Sequence, residues 1–77
     1  MEFEKIKKII LSVKNVDENK ITEESDFIKD LLLDSIEVFQ IIMGIEEEYG
    51  ITIDNTDLTN IHTIKDAIIA IEKYKNA

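Results

Sequence analysis

Residues 35–49, SIEVFQIIMGIEEEY, constrain the fold more than any other stretch of the chain, because their apolar residues fall on two faces of one helix. Successive residues of an α-helix are turned by about 100°. On that spacing one set of apolar residues, the core stripe, forms a narrow face: Val38, Ile41, Ile42, Ile45 and Tyr49. A smaller set, the second stripe, lies roughly opposite: Ile36, Phe39 and Met43. We expect the core stripe to hold this helix on a small bundle.

Two interpretations of the second stripe are open. The long loop that precedes the helix could cover it, or it could be exposed, because little of the chain remains to cover a second apolar face. Gln40 lies beside the stripe, and Glu46 and Glu47 extend its side at the far end. Apolar side chains next to carboxylates are typical of a docking surface, and Met suits a surface that adapts to several partners. We expect at least two of the three apolar residues to be exposed.

Two further helices follow from the same periodicity. Residues 2–14 carry one apolar stripe of Phe3, Ile6, Ile10 and Val13. Near the other end, Thr63 followed three residues later by Asp66 is typical of a capping box at a helix start. The stripe of that last helix consists of Ile64, Ala67, Ile68, Ile71 and Tyr74.

The segments between the helices are polar. Residues 21–34 are expected to form a long loop with a turn or two of helix, pinned to the core by Ile21, Phe27, Ile28 and Leu31 to Leu33. Gly50 suits a left-handed C-cap of the middle helix. Residues 51–54 are a connector, and a short helical turn is expected over residues 56–60. The sequence thus predicts an all-α fold, a small four-helix bundle of three main helices and a short one.

Length and composition limit the class of protein. Seventy-seven residues without cysteine or proline make one helical domain, residues 1–77, with no disulfide framework and no thiol of its own. No apolar run approaches the roughly 18 residues of a membrane span. The first ten residues interleave charged and apolar side chains, unlike a signal peptide, so we expect a cytoplasmic protein.

The net charge of −8 is concentrated in the middle of the chain, where residues 21–62 hold eleven acids and one lysine. An acidic surface repels phosphate backbones and anionic lipids, so nucleic acid and membranes are poor partners for it. Basic patches on other proteins are better ones. Acids that only keep a small protein soluble are the alternative explanation.

Ser35 and Asp34 stand where the middle helix begins, and either is a good N-cap. If Asp34 caps, Glu37 completes a capping box and the Ser35 hydroxyl is free. We expect no catalytic site, because a nucleophilic serine needs a base and the only histidine is His62, a loop residue. We expect no metal site, because the residues from Asp54 onward fail the EF-hand pattern. A phosphate attached at Ser35 would be stabilised by the helix N-terminus.

The stretch DFIKDLLLDSIEVFQIIMGIEEEYGITI resembles the centre of an acyl carrier protein. The Asp-Ser-Leu motif of that family is present as Asp34-Ser35-Ile36, followed by Glu37 and by the acidic run of residues 46–48 before Tyr49. FEKIKKIILSV resembles the first helix of the family, and IHTIKDAIIAIEK resembles its last. The resemblance covers essentially the whole chain.

The resemblance implies a cofactor and a set of partners. Ser35 would receive 4′-phosphopantetheine from coenzyme A through a phosphopantetheinyl transferase, and the terminal thiol of the arm would carry acyl groups as thioesters. The transferase and the acyl-loading and acyl-processing enzymes would present basic docking patches. The residues expected to meet them are Asp34, Ile36, Glu37, Phe39, Gln40, Met43 and Glu47. The isoleucine-rich interior would open to shelter a growing chain.

Three positions depart from the family pattern. Leu32 stands where the family usually has glycine, so the loop before Ser35 is expected to turn differently. Gln40 replaces a usual glutamate, and Phe39 is bulkier than the usual residue. The resemblance implies a carrier for fatty-acid, polyketide or related biosynthesis. The three departures leave a specialised carrier of a polyketide, lipid, peptide or D-alanyl pathway open beside the housekeeping fatty-acid carrier.

The preferred hypothesis is a freestanding, monomeric carrier that is not itself an enzyme. The alternative from another class is an unmodified acidic helical module whose second stripe binds a partner helix. An independent hydrolase ranks third, since it lacks a base. Only the carrier hypothesis predicts a covalent load on Ser35.

Overall fold

The computed structural model describes residues 2–76. Four α-helices follow one another along the chain: α1 (Glu2–Val13), α2 (Ser35–Tyr49), α3 (Asn55–Leu58) and α4 (Ile64–Lys75). Over the described residues no strand forms, and the only sheet-like contact is an isolated antiparallel bridge between Asp26 and Thr63. The predicted all-α bundle of three main helices and a short one is confirmed. None of the helices in residues 2–76 is long and apolar enough to cross a membrane.

The predicted helix ends agree closely with the structure. Gly50 caps α2 in the left-handed region, at φ 63° and ψ 39°, where glycine has no side chain to strain the backbone. Thr63 caps α4, and Thr63 and Asp66 form both bonds of a capping box. The short helix begins at Asn55, one residue before the predicted turn. Residues 51–54 form a connector, as predicted.

The core is built from the apolar faces of the three long helices and from the loops between them. Ile6 and Ile10 are buried from α1. The core stripe of α2 is confirmed, with its three isoleucines buried and its two ends half-buried. From α4, the buried residues are Ile64, Ala67, Ala70 and Ile71, whereas Ile68 and Tyr74 of the predicted stripe are half-buried.

Helices α1 and α2 approach each other closely at Gly44. A Cβ atom on Gly44 would lie 2.9 Å from Cγ2 of Ile9, closer than side-chain carbons pack. Glycine in a helix interior costs stability relative to alanine, roughly 0.5–1 kcal/mol. This glycine is therefore explained by the close contact between two helices and not by local helix propensity.

The loop between α1 and α2 differs from the prediction in one respect. Phe27, together with Ile21, Leu31 and Leu33, is buried as expected, but Ile28 and Leu32 are exposed. Leu31 and Leu33 enter the core on either side of Leu32, so the residue between them faces solvent. The expected turn in residues 21–34 lies at residues 26–31, where the Asp30 N–H donates to the Asp26 carbonyl at 3.0 Å; a 3-10 turn precedes it at Glu18–Lys20.

Backbone hydrogen bonds fasten this loop to the start of α4. The Phe27 N–H donates to the His62 carbonyl at 2.9 Å, and the Lys65 N–H donates to the Glu23 carbonyl at 2.8 Å. Inside the loop, the buried Ser25 hydroxyl donates to the Lys20 carbonyl at 3.0 Å and accepts from the Thr22 N–H at 2.9 Å. The long loop is therefore an ordered part of the bundle, and it delivers the chain to the start of α2 in a fixed direction.

Candidate functional site

The start of α2 is closed by a capping box that Asp34 supplies. The Glu37 N–H donates to Asp34 Oδ1 at 2.8 Å, and the Asp34 N–H donates to Glu37 Oε1 at 2.9 Å. Asp34 is thus the N-cap, and Ser35 is the first helical residue. The sequence left two residues as possible caps, and the structure selects the one that leaves the serine side chain free.

The Ser35 hydroxyl is exposed and forms no hydrogen bond with any other residue among 2–76. The N–H groups of Ser35 and Ile36 also have no acceptor within that part of the chain. Unbonded N–H groups at a helix start carry a partial positive charge and stabilise an attached or bound phosphate. The head of α2 thus combines an accessible hydroxyl with a favourable environment for a phosphate ester.

No described side chain is hydrogen-bonded to the Ser35 hydroxyl. His62 is an exposed loop residue before α4, as predicted, and its backbone N–H donates to Asp66 Oδ2 at 2.9 Å. Within residues 2–76, no group of three or more acidic or histidine side chains is arranged to hold a metal ion. None of the described side chains therefore forms the hydrogen bond to Ser35 by which a general base activates a serine.

The corner before Ser35 contains a strained residue. Leu32 has φ 58°, in the left-handed region that glycine adopts without strain and other residues enter at a cost of about 1–2 kcal/mol. Leu32 thus takes a conformation that suits glycine, and a turn different from that of the family stays a prediction. Its buried neighbours Leu31 and Leu33 fix the path of the backbone, and Leu32 follows it.

Lys14, at the end of α1, reaches this corner from 18 residues away in sequence. Its Nζ donates to the Leu32 carbonyl at 2.7 Å and lies 3.8 Å from Glu37 Oε1. The strained carbonyl and the capping box are thus tied to α1. Sequence reasoning missed this contact, because nothing in the local pattern around Lys14 distinguishes it from the other lysines of α1.

The second stripe is exposed. Ile36, Phe39 and Met43 are 70%, 61% and 46% exposed, so the prediction that at least two of them face solvent is confirmed. Gln40 and Glu47 are also exposed beside them. The interpretation in which the long loop covers this stripe is wrong, because the apolar residues of the loop that are buried enter the core instead.

The acids near the stripe are not equivalent. Glu46 was expected to extend the side of the second stripe, but its Oε2 accepts from the Ile53 N–H at 2.8 Å, so it fastens α2 to the connector. Asp34 and Glu37 use one oxygen each in the capping box. Glu47 has no such bond among the described residues. Of the four acids around the stripe, Glu47 is therefore the one most available to a partner.

An apolar groove of about 200 Å³ begins at Ser35. One wall comes from α2, through Val38, Phe39 and Ile42, and the other comes from Leu58 and Ile61 in and after α3. No local pattern in the sequence predicts this groove, because its two walls are about 20 residues apart and meet only through the packing of the bundle. An apolar chain attached at Ser35 would find this surface at its base.

Comparison with known proteins agrees with this geometry. The family model described as "Phosphopantetheine attachment site" matches residues 4–71. The chain is 41% identical to "Acyl carrier protein" of Thermotoga maritima over 71 residues, which are 92% of this chain and 88% of the relative. It is 36% identical to "Acyl carrier protein" of Zymomonas mobilis subsp. mobilis over 72 residues, which are 94% and 92% of the two chains. The chain therefore belongs to the acyl carrier family, and its cofactor is 4′-phosphopantetheine.

Proposed function

From this family membership we propose that Ser35 carries the 4′-phosphopantetheine group and that residues 1–77 form a single carrier domain without enzymatic activity of its own. The observation that supports Ser35 most directly is its free, exposed hydroxyl at the first position of α2, with the cap supplied by Asp34. A serine that served as the N-cap would lose its capping hydrogen bond when its hydroxyl is modified. Here the modification leaves the capping box intact.

In the proposed loading step, a bond forms between Ser35 Oγ and the phosphorus next to pantetheine in coenzyme A. The phosphoanhydride bond of coenzyme A breaks, and adenosine 3′,5′-bisphosphate leaves. We assign removal of the serine proton to a base of the transferase, because no described side chain is hydrogen-bonded to the Ser35 hydroxyl. This chain contributes the nucleophilic oxygen and the N–H groups at the head of α2, which stabilise the phosphodiester that results.

The attached group supplies the thiol that holds acyl groups as thioesters. The chain itself has no cysteine and therefore no thiol of its own. The groove beside Ser35 would cover the first carbons of such an acyl group, because its lining from Val38 to Ile61 is apolar. The partner enzymes determine which acyl group is loaded. They thereby also determine whether the carrier serves a fatty-acid, polyketide, D-alanyl or related pathway.

The docking surface in this proposal is the second stripe with Glu47 and Gln40. Its three exposed apolar residues would fill shallow apolar sites on the transferase and on acyl-loading and acyl-processing enzymes. The acidic surroundings would meet basic patches and speed association. Phe39 and Gln40 change the size and charge of this surface from the usual family pattern. That change supports a specialised partner set over the housekeeping one.

The experiment is an intact-mass measurement after incubation with coenzyme A, Mg²⁺ and a phosphopantetheinyl transferase of broad specificity. The wild-type chain should gain one phosphopantetheine, and Ser35→Ala should gain none. Ser12→Ala is the matched control, because Ser12 is also an exposed serine, on α1. Gain in Ser35→Ala, or failure of the folded wild-type chain with transferases of several types, would reject the proposal.

The second candidate is the unmodified interaction module, favoured by the exposure of the second stripe alone. It requires no load on Ser35, so the failure of every transferase would move it ahead. We further propose that the protein is located in the cytoplasm, because the free thiol of the arm persists in a compartment where thiols are kept reduced. Cell fractionation checks this placement.

A further inference from the structure

Helix α3 is held only weakly by its own residues. It comprises four residues, Asn55–Leu58, none of them fully buried, and its N-cap Asp54 makes no side-chain bond to the helix. An isolated helix of one turn is unstable in water. Its position must therefore depend on contacts with the rest of the bundle.

One phenol oxygen on α4 makes two of these contacts. Tyr74 Oη donates to Asp57 Oδ2 at 2.6 Å and accepts from the Asp54 N–H at 2.9 Å. It thus bonds to both ends of the short helix. Lys73 Nζ donates to the same Asp57 oxygen at 3.0 Å. The hydrogen bonds from Tyr74 and Lys73 lower the pKa of Asp57, so the carboxylate is charged at neutral pH and is a strong acceptor.

The segment that Tyr74 holds is a wall of the groove beside Ser35. Leu58 and Ile61 line that groove on the side facing α2. On the opposite side, towards α4, lies a second groove of about 220 Å³, which Ile61 and Asp57 also line. Tyr74 and Lys73 hold this wall from α4. Loss of the Tyr74 hydroxyl would therefore let the wall shift and let the groove beside Ser35 adapt to a longer chain.

We propose that Tyr74 is a specificity-determining residue, whose hydroxyl holds α3 in place and thereby sets the length of acyl chain that the groove beside Ser35 shelters. The cargo part of this inference rests on the proposed function. An apolar cavity of roughly 150 Å³ accommodates a benzene-sized molecule. A groove of about 200 Å³ therefore fits a short acyl chain, and a longer one requires α3 to move.

The first test uses the unmodified chain and hydrogen–deuterium exchange of its backbone amides. Tyr74→Phe removes the hydroxyl and keeps the ring. A hydrogen bond to a charged acceptor changes an opening equilibrium by roughly tenfold or more, so the amides of residues 57–61 should exchange about tenfold faster. Core amides of α2 serve as the internal reference for global destabilisation.

Tyr49→Phe is the matched control, because it removes the only other tyrosine hydroxyl of the chain. The Tyr49 hydroxyl has no hydrogen-bond partner within residues 2–76. This variant should leave exchange in residues 57–61 unchanged relative to α2. Equal effects of the two variants on that segment would overturn the role of Tyr74.

The second test measures cargo protection. Wild-type and Tyr74→Phe chains are loaded from butanoyl- and decanoyl-coenzyme A by the transferase, and cleavage of each thioester by hydroxylamine is followed by mass. We expect the ratio of decanoyl to butanoyl cleavage rates to fall several-fold in Tyr74→Phe, because the loosened wall admits the longer chain. An unchanged ratio would reject the cargo part. If Ser35 cannot be loaded, the cargo part fails with the proposed function, while the exchange comparison still decides whether Tyr74 holds α3.

Discussion

Two phenylalanines of the chain differ in burial, and substitution of each by alanine should separate docking from folding. Phe39 is 61% exposed on the second stripe, whereas Phe27 is 1% exposed in the core. Burial of a full phenylalanine side chain covers about 150–250 Å². About two fifths of Phe39 is covered, which at 25 cal/mol per Å² corresponds to roughly 1.5–2.5 kcal/mol as an upper estimate. Alanine also restores about 0.5 kcal/mol of helix propensity.

We therefore expect Phe39→Ala to lower the free energy of unfolding by about 1–2 kcal/mol and Phe27→Ala to lower it by about 3–5 kcal/mol. Urea denaturation followed by circular dichroism gives both values. Phe39→Ala should in addition weaken transfer of the arm to Ser35 while the chain remains folded. A loss of 3 kcal/mol or more for Phe39→Ala would mean that the second stripe is part of the core, and the docking hypothesis would be wrong.

Three other measurements examine strain, an unpaired hydroxyl and charge. Leu32→Gly should raise the free energy of unfolding by about 0.5–1 kcal/mol, because glycine adopts the left-handed conformation without strain. Ile28→Gly is the control, at an exposed loop position without a positive φ, and it should lower the free energy of unfolding. The opposite result for the two variants would show that Leu32 is not strained. Tyr49→Phe should raise the free energy of unfolding by about 1 kcal/mol in the same urea assay, because the variant removes a buried hydroxyl without a partner in residues 2–76. A lower free energy of unfolding would show that this hydroxyl is hydrogen-bonded. Added salt should raise the melting temperature in calorimetry, because it screens the repulsion among the eleven acids of residues 21–62. The Debye length of the solution falls from about 10 Å at 0.1 M salt to about 3 Å at 1 M. A lower melting temperature in salt would mean that the surface ion pairs contribute more than this repulsion.

Local contacts explain why much of the site could be predicted from the sequence. The capping boxes of Asp34 with Glu37 and of Thr63 with Asp66 join residues three positions apart. The stripes of α2 repeat every three or four residues, and the left-handed cap needs only Gly50. These features depend on backbone geometry within one or two turns of helix. The free hydroxyl of Ser35 was therefore one of two alternatives that the pattern alone had already defined.

Contacts between distant residues decided the rest. Lys14 bonds to Leu32 across 18 residues, and Tyr74 bonds to Asp57 across 17. Glu46 bonds to the Ile53 N–H beyond the end of its own helix. A sequence pattern assigns each of these residues to a face or a loop, but it does not say which distant backbone comes within bonding distance.

The sequence by itself determined the helices, their caps, the two stripes of α2 and the serine at its head, because periodicity and capping act over three or four residues. The tertiary structure alone decided that Leu32 is left-handed and exposed, that the groove opens at Ser35, and that one tyrosine hydroxyl holds the wall of that groove. The physical reason is that backbone path and side-chain partners in the loops are set by the burial of their neighbours in a shared core, and that core exists only once the helices have packed.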